Sequence, residues 1–408
     1  MSSHELVCTA CGCLCDDIRV QIEGEGIARI ENACIKGAAY LRSAMNPSRR
    51  AASMIGGRSV PVEEAIDQAA RLFSQARSRL IFGLDSSTLE AQVAAIELAE
   101  RAGAVIDGAL SFSYGALLQG ILGGDLPTGS LSAVKDNADL LIYWGSNPPH
   151  THPRHLSKFT YYAYSEVDPA GWLPKNVKLA CIDARDTEFS ALCRPSFKVT
   201  PGGDRDFIEA VLREGDEEGD WRSLLDLVKE SSCCVMFCGS ALLFSLDNDL
   251  GCLTEMVQRF GQRTRISLIP MVKEANQRGF AESLYKRTGY VDRVSFAEGV
   301  SHGRQYSFLE QLTGHVPDCI LIVGSDPVSS LPQSVMRNLE GTTVIWLGRF
   351  GVPTVHAADV VVPTAVPGLE CPGTMLRMDG DEVGLTAPVK GACPTEEEVL
   401  RKLAERLA

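Results

Sequence analysis

Four cysteines fall within eight residues, Cys8-Thr9-Ala10-Cys11-Gly12-Cys13-Leu14-Cys15, and a fifth follows at Cys34. Read as Cys8-x2-Cys11-x3-Cys15-x18-Cys34, this is the spacing of a cysteine-bound cubane iron–sulfur cluster. Short spacers let one loop present several thiolates to one side, and a distant cysteine closes the cage. A tetrahedral zinc site could use four of the same five thiols. The plainer alternative is a disulfide-rich or merely reduced N-terminus, but cysteine this dense is unusual in an intracellular chain. Cys13 is spare in this scheme and is expected to point away from the cage.

A second group of candidate residues sits at the ends of apolar runs. Asp139-Leu140-Leu141-Ile142-Tyr143-Trp144-Gly145-Ser146-Asn147-Pro148 and Asp318-Cys319-Ile320-Leu321-Ile322-Val323-Gly324-Ser325-Asp326-Pro327 resemble each other closely. Each reads as a strand followed by Gly-Ser-[Asn/Asp]-Pro. Glycine at a strand's carboxyl end lets backbone N–H groups approach a ligand, and Ser or Asn adds hydrogen bonds. Ligands in open α/β sheets bind at such ends. Gly145, Ser146 and Asn147, with Gly324, Ser325 and Asp326, are therefore candidate ligand loops in two nucleotide-binding-like halves. The alternative is that each is simply an effective turn. Asp183 and Arg185 follow the run ending at Ile182, where an acid can hold ribose hydroxyls. His150, His152 and His155 fall within six residues, but flanking prolines work against a helical pair of metal ligands. Arg154 and His155 are instead expected to hold an anion or pack on a cofactor edge. Asp204, after Pro201-Gly202-Gly203, is expected to cap a helix.

The elements that must position these residues alternate along the chain. Apolar runs at 80–82, 104–106, 140–144, 177–182, 234–237, 320–323, 343–347 and 360–362 are separated by amphipathic helical stretches, of which 62–76 is the clearest. Short continuous apolar strands between such helices indicate parallel sheets covered on both faces. Before them, 18–22 and 27–30 read as a hairpin around Gly24-Glu25-Gly26, which returns the chain to Cys34. The stretch 273–304, rich in Gly, Asn and charge, is expected to form loops. Residues 395–407 read as an amphipathic helix with three glutamates near its start.

The totals set limits. The chain has 408 residues, enough for two or three packed lobes. A hydrophobic content of 45% and a charged content of 22% are those of a soluble globular protein. A net charge of −13 argues against general affinity for nucleic acid or an anionic membrane. No apolar run approaches membrane-spanning length, and Met1-Ser2-Ser3-His4-Glu5-Leu6 is not a secretory signal. Fourteen cysteines without such a signal imply a reducing cytoplasm. Cys181, Cys233, Cys234, Cys238 and Cys319 lie in apolar runs and read as small core residues.

At nearly full length the sequence resembles the B subunit of formylmethanofuran dehydrogenase, a branch of the molybdopterin oxidoreductases. The pieces that carry the resemblance are the cysteine motif with Asp16-Asp17, Trp144-Gly145-Ser146-Asn147-Pro148 with His152-Pro153-Arg154-His155, Gly324-Ser325-Asp326-Pro327, and Arg377-Met378-Asp379-Gly380. The resemblance implies an α/β fold with a small iron–sulfur-type N-terminal lobe and two Rossmann-like parallel-sheet lobes, without the C-terminal β-barrel of larger relatives. The lobes are expected at 1–55, at 56–140 with 315–408, and at 141–314. It implies a [4Fe–4S] cluster on Cys8, Cys11, Cys15 and Cys34. Two pyranopterin guanine dinucleotides around molybdenum or tungsten would lie on the Gly145 and Gly324 loops, His152, Asp183, Arg185, Gly368, Glu370 and Gly373.

One departure shapes the expected function. The family binds its metal through a cysteine followed by a histidine and a glycine. The matching place is Ser111-Phe112-Ser113-Tyr114-Gly115, with Ser113 for the cysteine and Tyr114 for the histidine. A serine alkoxide can ligate molybdenum in related enzymes, but a thiolate is the softer and stronger donor. The chain is most similar to the B subunit of the bacterial formyltransferase/hydrolase complex of tetrahydromethanopterin-linked one-carbon metabolism. That resemblance implies a redox-inactive scaffold beside an amidohydrolase-like A subunit, a C subunit and a formyltransferase D subunit, and there the pterin and its metal need not be present. The alternatives are an active molybdenum or tungsten oxidoreductase with Ser113 as ligand, and a nucleotide-binding α/β protein with a zinc clip.

Overall fold

A computed structural model of the chain describes residues 2–24, 26–163, 177–213 and 221–407. The chain divides into two compact units. Unit 1 comprises Met1–Phe112, Glu274–Arg377 and Glu382–Ala408; unit 2 comprises Ser113–Lys273 and Met378–Asp381.

Unit 1 opens with a three-stranded antiparallel sheet of β1 (Ser2–Leu6), β2 (Ile18–Glu23) and β3 (Gly26–Glu31). Leu6 pairs with Ile18, so the cysteine loop closes between two hydrogen-bonded strands. β2 and β3 form the expected hairpin, and Glu25 at its tip lies outside the described residues. Asn32 then turns the chain in the left-handed region (φ +61°) and donates its amide to the Asp17 carbonyl at 2.9 Å. This sends the chain into the helix Ile35–Ala44, with Cys34 as its N-cap.

The strands that follow are β4 (Met54–Ile55), β5 (Arg58–Ser59), β6 (Arg79–Gly83) and β7 (Val105–Asp107). Unit 2 then supplies β8 (Leu140–Trp144), β9 (Lys178–Asp183), β10 (Ser196–Lys198), β11 (Cys233–Cys238) and β12 (Arg265–Pro270). The chain returns to unit 1 with β13 (Val294–Ser295), β14 (Ser301–His302), β15 (Cys319–Val323), β16 (Thr343–Gly348) and β17 (Val360–Pro363). Unit 1 orders them β14-β13-β7-β6-β15-β16-β17-β4-β5, with the five strands from β7 to β17 parallel. Unit 2 orders its strands β10-β9-β8-β11-β12, all parallel.

The periodicity explains the layers. In unit 1, Leu80, Phe82, Ile320, Ile322, Val344 and Trp346 turn alternate positions to one face and pack with Phe308 and Leu312. Phe82 stacks on Phe308 with centroids 4.0 Å apart. On helix Val62–Gln75, Ala65, Ile66, Ala69, Ala70 and Phe73 are buried, the stripe expected of a helix laid on a sheet. Cys181, Cys234, Cys238 and Cys319 are fully buried in strands, as their apolar context implied.

Two expectations need correction. The stretch 273–304 is not chiefly loop: it contains the helix Gln277–Thr288 and the β13–β14 hairpin. This helix buries Gln277 and Arg278, so apolar periodicity does not reveal it. Its entry is fixed by Asn276, which donates to the Ser87 carbonyl at 2.7 Å and accepts from Leu376 N–H at 2.7 Å. Asp204 is the first residue of the helix Asp204–Arg213 rather than its cap, and its carboxylate accepts from Trp144 Nε1 at 2.6 Å.

The junction of β7 with β13 holds a buried acid pair. Asp107 accepts from the N–H groups of Phe308 (2.8 Å) and Arg293 (3.1 Å) and from the Ser111 hydroxyl (2.8 Å). Burial, and then the neighbouring Asp292 carboxylate, push the Asp107 carboxyl up to about 8. Asp292 is itself paired with Arg293 at 2.8 Å and lies 3.5 Å from His302 Nε2. The folded state therefore holds a proton that the unfolded chain, with an ordinary value of 3.8, releases earlier. The stability this contributes is full below about pH 4 and is lost as pH rises through about 8. Asp292→Asn removes the neighbouring charge and lowers the raised value. The thermal midpoint of that variant should fall less steeply across this range than that of the unaltered protein. Parallel slopes would show that Asp107 is not held neutral.

Candidate functional site

The cysteine loop is built into the base of unit 1. Cys8 N–H donates to the Cys15 carbonyl at 2.9 Å, and Leu14 N–H to the Cys11 carbonyl at 3.2 Å. Leu14 sits in the left-handed region (φ +41°) and is 0% exposed; it packs with Val7, Ala275, Met375 and Leu385. This apolar seat turns the thiols of the loop together. Cys34 Sγ accepts from Gly37 N–H at 3.4 Å. A methyl group at Gly37 would lie 2.9 Å from Cys8 Sγ and 3.8 Å from Cys34 Sγ. The hairpin therefore brings Cys34 back beside Cys8, as the spacing suggested.

Cys13 departs from expectation. It is fully enclosed, and its thiol hydrogen-bonds to Cys11. That bond, followed by burial, raises Cys13 well above the ordinary thiol range, and the same bond lowers Cys11. Cys13 also feels the charges of Cys15 and Cys34, so it lies among the other thiols rather than away from them. The next residue, Leu14, is the one in the left-handed region. Burial pushes Cys8 up to about 12. Among the described residues no three His, Cys, Asp or Glu side chains are grouped to hold a single metal ion. The donors are nonetheless all sulfur, buried or half-buried and delivered by one loop and one helix cap, which suits a thiolate-bound centre.

The two Gly-Ser-[Asn/Asp]-Pro loops are true structural twins. Gly145 and Gly324 each have φ +62°. Each loop leads into a short proline-initiated helix, Pro148–Thr151 and Pro327–Ser330. Each follows a strand beside its sheet's topological switch point, between β8 and β11 in unit 2 and between β6 and β15 in unit 1. That is where an open α/β sheet takes a ligand.

The twins have different surroundings. In unit 2, Asn147 Oδ1 and Asp183 Oδ2 are buried without a hydrogen-bond partner among the described residues. They sit beyond adjacent parallel strands, as two acceptors facing no protein donor. Asp183 Oδ1 accepts from Arg185 N–H at 2.9 Å, which fixes the carboxylate. These groups fit the hydroxyls of a nucleotide-like ligand. In unit 1 the loop's groups serve the protein itself. Asp326 Oδ1 accepts from Thr354 N–H at 3.1 Å and from its hydroxyl at 2.5 Å. The Ser325 carbonyl accepts from Trp346 Nε1 at 2.9 Å. These groups do not fit a second nucleotide.

The remaining sequence candidates fall in several places. Ser113 is half-buried at the start of unit 2. Tyr114 is 6% exposed and donates its hydroxyl to the Met271 carbonyl at 2.8 Å; burial pushes that hydroxyl up to about 12. His152 Nε2 lies 2.9 Å from the Val272 carbonyl, so its ring is held by backbone. His155 is fully buried, edge-on to Phe237 and Tyr143, and burial lowers it well below the usual histidine range. Gly368 touches the Val7 carbonyl region, where a methyl group would meet Val7 O at 3.2 Å. Glu370 accepts from Arg50 Nη2 at 2.8 Å and Val366 N–H at 2.8 Å. Gly373 lines a cavity of about 250 Å³ with Thr88, Glu90, Cys371, Glu396 and Glu397. Asp379, in the C-terminal motif, accepts from Leu131 N–H at 2.5 Å and so caps the helix Leu131–Asn137.

Sequence reasoning missed Arg349 and Glu396. Arg349 follows the glycine that ends β16, a strand-end position like those of the twin loops. Its Nη2 donates to the Ser86 carbonyl at 2.8 Å and to both Glu396 carboxylate oxygens at 3.2 Å.

The approach of Cys8 to helix Ile35–Ala44 makes Gly37→Ala a direct test of the thiol arrangement. Overpacking of this kind costs about 1–3 kcal/mol. The variant should show a lower thermal midpoint and less bound metal per purified chain. No change in either would mean that the Cys8 sulfur is not held against the helix.

No protein-family model matches the chain. Two curated relatives align over essentially their whole length. The B subunit of the tungsten-containing formylmethanofuran dehydrogenase 2 of Methanocaldococcus jannaschii is 29% identical over 432 aligned positions, covering 99% of this chain and 98% of the relative. Its counterpart from Methanococcus maripaludis is 26% identical over 437 positions, covering 98% of each. Among solved structures, a chain of the formyltransferase/hydrolase complex FhcABCD from Methylorubrum extorquens, determined with methylofuran, superposes with a TM-score of 0.70. It is 19% identical and covers 87% of this chain and 98% of its own, a likeness of mixed α/β fold. The resemblance carried by the sequence motifs thus extends end to end: this chain is similar over essentially its whole length to two formylmethanofuran dehydrogenase B subunits.

Proposed function

We propose that this chain is the B subunit of a formyltransferase/hydrolase assembly in tetrahydromethanopterin-linked one-carbon metabolism, and that it keeps the frame of a redox subunit without the redox reaction. The observation that carries the reading is Tyr114. It stands where the related redox subunits place a functional histidine, and its hydroxyl is committed to the Met271 carbonyl in a buried setting. A phenol held in this way, raised to about 12, neither accepts nor delivers a proton near neutrality. Ser113 beside it replaces the soft thiolate ligand. The likeness to formylmethanofuran dehydrogenase B subunits supports the B-subunit frame, and the fold likeness to a chain of the formyltransferase/hydrolase complex supports the assembly; the two dehydrogenase relatives are themselves tungsten-containing.

In this proposal Cys8, Cys11, Cys15 and Cys34 hold a [4Fe–4S] cluster. Bound there, it would serve as a one-electron centre or as a structural staple, and metal binding by such loops supplies folding free energy. The chain's own contribution is to seat the loop on Leu14 and to hold Cys34 at the helix cap. Formyl transfer and hydrolysis are assigned to the partner subunits, an amidohydrolase-like A, a C and a formyltransferase D, in the cytoplasm. No helix among the described residues is long and apolar enough to cross a membrane.

A second reading, an active molybdenum or tungsten pterin enzyme with Ser113 as ligand, is favoured by one observation. Asn147 Oδ1 and Asp183 Oδ2 are buried with no hydrogen-bond partner among the described residues, at the strand ends to which the resemblance assigns a nucleotide. Metal and pterin analysis of the anaerobically purified native complex separates the two. The proposal expects about four irons per chain, no stoichiometric tungsten or molybdenum, no pterin, and formyl hydrolysis at the same rate with and without an electron acceptor. Stoichiometric tungsten or molybdenum with extractable pterin would overturn it. Zinc without iron would replace the cluster by a zinc clip.

A further inference from the structure

The switch point of unit 1 is bordered by the loops after β6, β15 and β16, and one ion pair joins the first and the last and lies against the loop after β15. Arg349, after β16, donates to Glu396 and to the Ser86 carbonyl in the loop after β6. A methyl group on Gly324, after β15, would lie 3.4 Å from Glu396 Oε1, 3.8 Å from Ser87 Oγ and 4.0 Å from Arg349 Nη2. Both charged side chains are buried, with 6% and 3% exposure. Two donors at the same place have no protein partner among the described residues: Arg349 Nε and Ser87 Oγ. Glu396 is the first residue of the ten-residue helix Glu396–Glu405, capped by Thr395 in a reciprocal box with Glu398. An arginine, a serine hydroxyl, a glycine turn at a strand's carboxyl end and a helix N-terminus are together the parts of a phosphate site. Here the carboxylate takes the phosphate's place.

We propose that Glu396 is an internal pseudo-ligand: its carboxylate occupies Arg349 at the unit 1 switch point and excludes the phosphates of a nucleotide from the Gly324 loop. Gly324 itself is exposed, so charge rather than closure sets this crevice apart. The adjoining cavity reinforces the exclusion, because Glu90 and Glu397 line it. The twin crevice of unit 2 keeps its unpartnered acceptors, and the two halves have therefore diverged in chemistry while keeping one backbone. The inference deepens the redox-inactive reading but is tested apart from it: metal and pterin content decides that reading, and local amide protection decides this one.

The test is hydrogen–deuterium exchange on the full chain in its native complex, with inorganic pyrophosphate as probe. In the unaltered protein, pyrophosphate should leave exchange at the Ser86–Ser87 and Gly324–Asp326 amides unchanged. In Glu396→Ala, the same amides should become severalfold slower to exchange on adding pyrophosphate, and the double variant Glu396→Ala with Arg349→Met should lose that response. Protection in the unaltered protein would overturn the proposal, as would its absence in folded Glu396→Ala. If Glu396→Ala does not fold, the isosteric Glu396→Gln, which removes the charge and keeps the shape, takes its place with the same expected gain.

Discussion

A parallel sheet covered on both faces has only its strand ends free to meet polar partners. Every hydrogen-bonding group at those ends must be paired or solvated, because an unpaired buried polar group costs about 1–3 kcal/mol. The two large sheets follow from that constraint. At the amino ends, paired acids latch neighbouring strands. Asp139 accepts from the hydroxyls of Ser231 and Ser232 and from the N–H groups of Ser232 and Cys233, which holds β11 against β8. Burial works against the Asp139 carboxylate, yet these bonds outweigh it and lower the group to about 2. Asp318 does the same for β6 through the N–H groups of Arg77 and Ser78.

The carboxyl ends leave more choice, and function enters there. A strand-end loop can be completed by a ligand or by the protein's own side chains. In unit 1 much of the completion is internal, through Thr354 on Asp326 and Glu396 on Arg349, and the groups left over among the described residues are the donors Arg349 Nε and Ser87 Oγ. Removing one partner of such a buried ion pair typically costs about 3–5 kcal/mol, since the other charge is left uncompensated. In unit 2 the groups left over among the described residues are the acceptors Asn147 Oδ1 and Asp183 Oδ2. The same motif and the same backbone therefore have different chemistry, decided by residues distant in sequence.

That distance explains what could be read from the sequence. The parallel strands were legible because Leu140–Trp144 and Cys319–Val323 are continuous apolar runs flanked by Asp and Gly. The helix Glu396–Glu405 was legible from its three leading glutamates and Thr395. The return of Cys34 to Cys8 followed from the hairpin pattern between them. The place of Cys13 among the other thiols was hidden, and so was the left-handed backbone of Leu14 on its apolar seat. The helix Gln277–Thr288 was hidden because polar Gln277 and Arg278 are buried in its first turn beside Phe280, Ala281 and Leu284, and its start is held by Asn276 through Ser87 and Leu376. His155 looked like an anion-binding residue in its basic stretch, and only the rings of Tyr143 and Phe237 show it to be core.

The apolar seat of the cysteine loop has a consequence for biosynthesis. Val7 and Leu14 pack on Ala275, Met375 and Leu385, which follow them in the chain only after the run Ser113–Lys273 of unit 2. Unit 2 is almost contiguous, whereas unit 1 is assembled from segments on either side of it. Domains fold as units during synthesis. The seat of the cysteine loop therefore cannot close before Met375 and Leu385 have been made. A centre that needs the closed loop forms after that point, and the thiols must stay reduced until then.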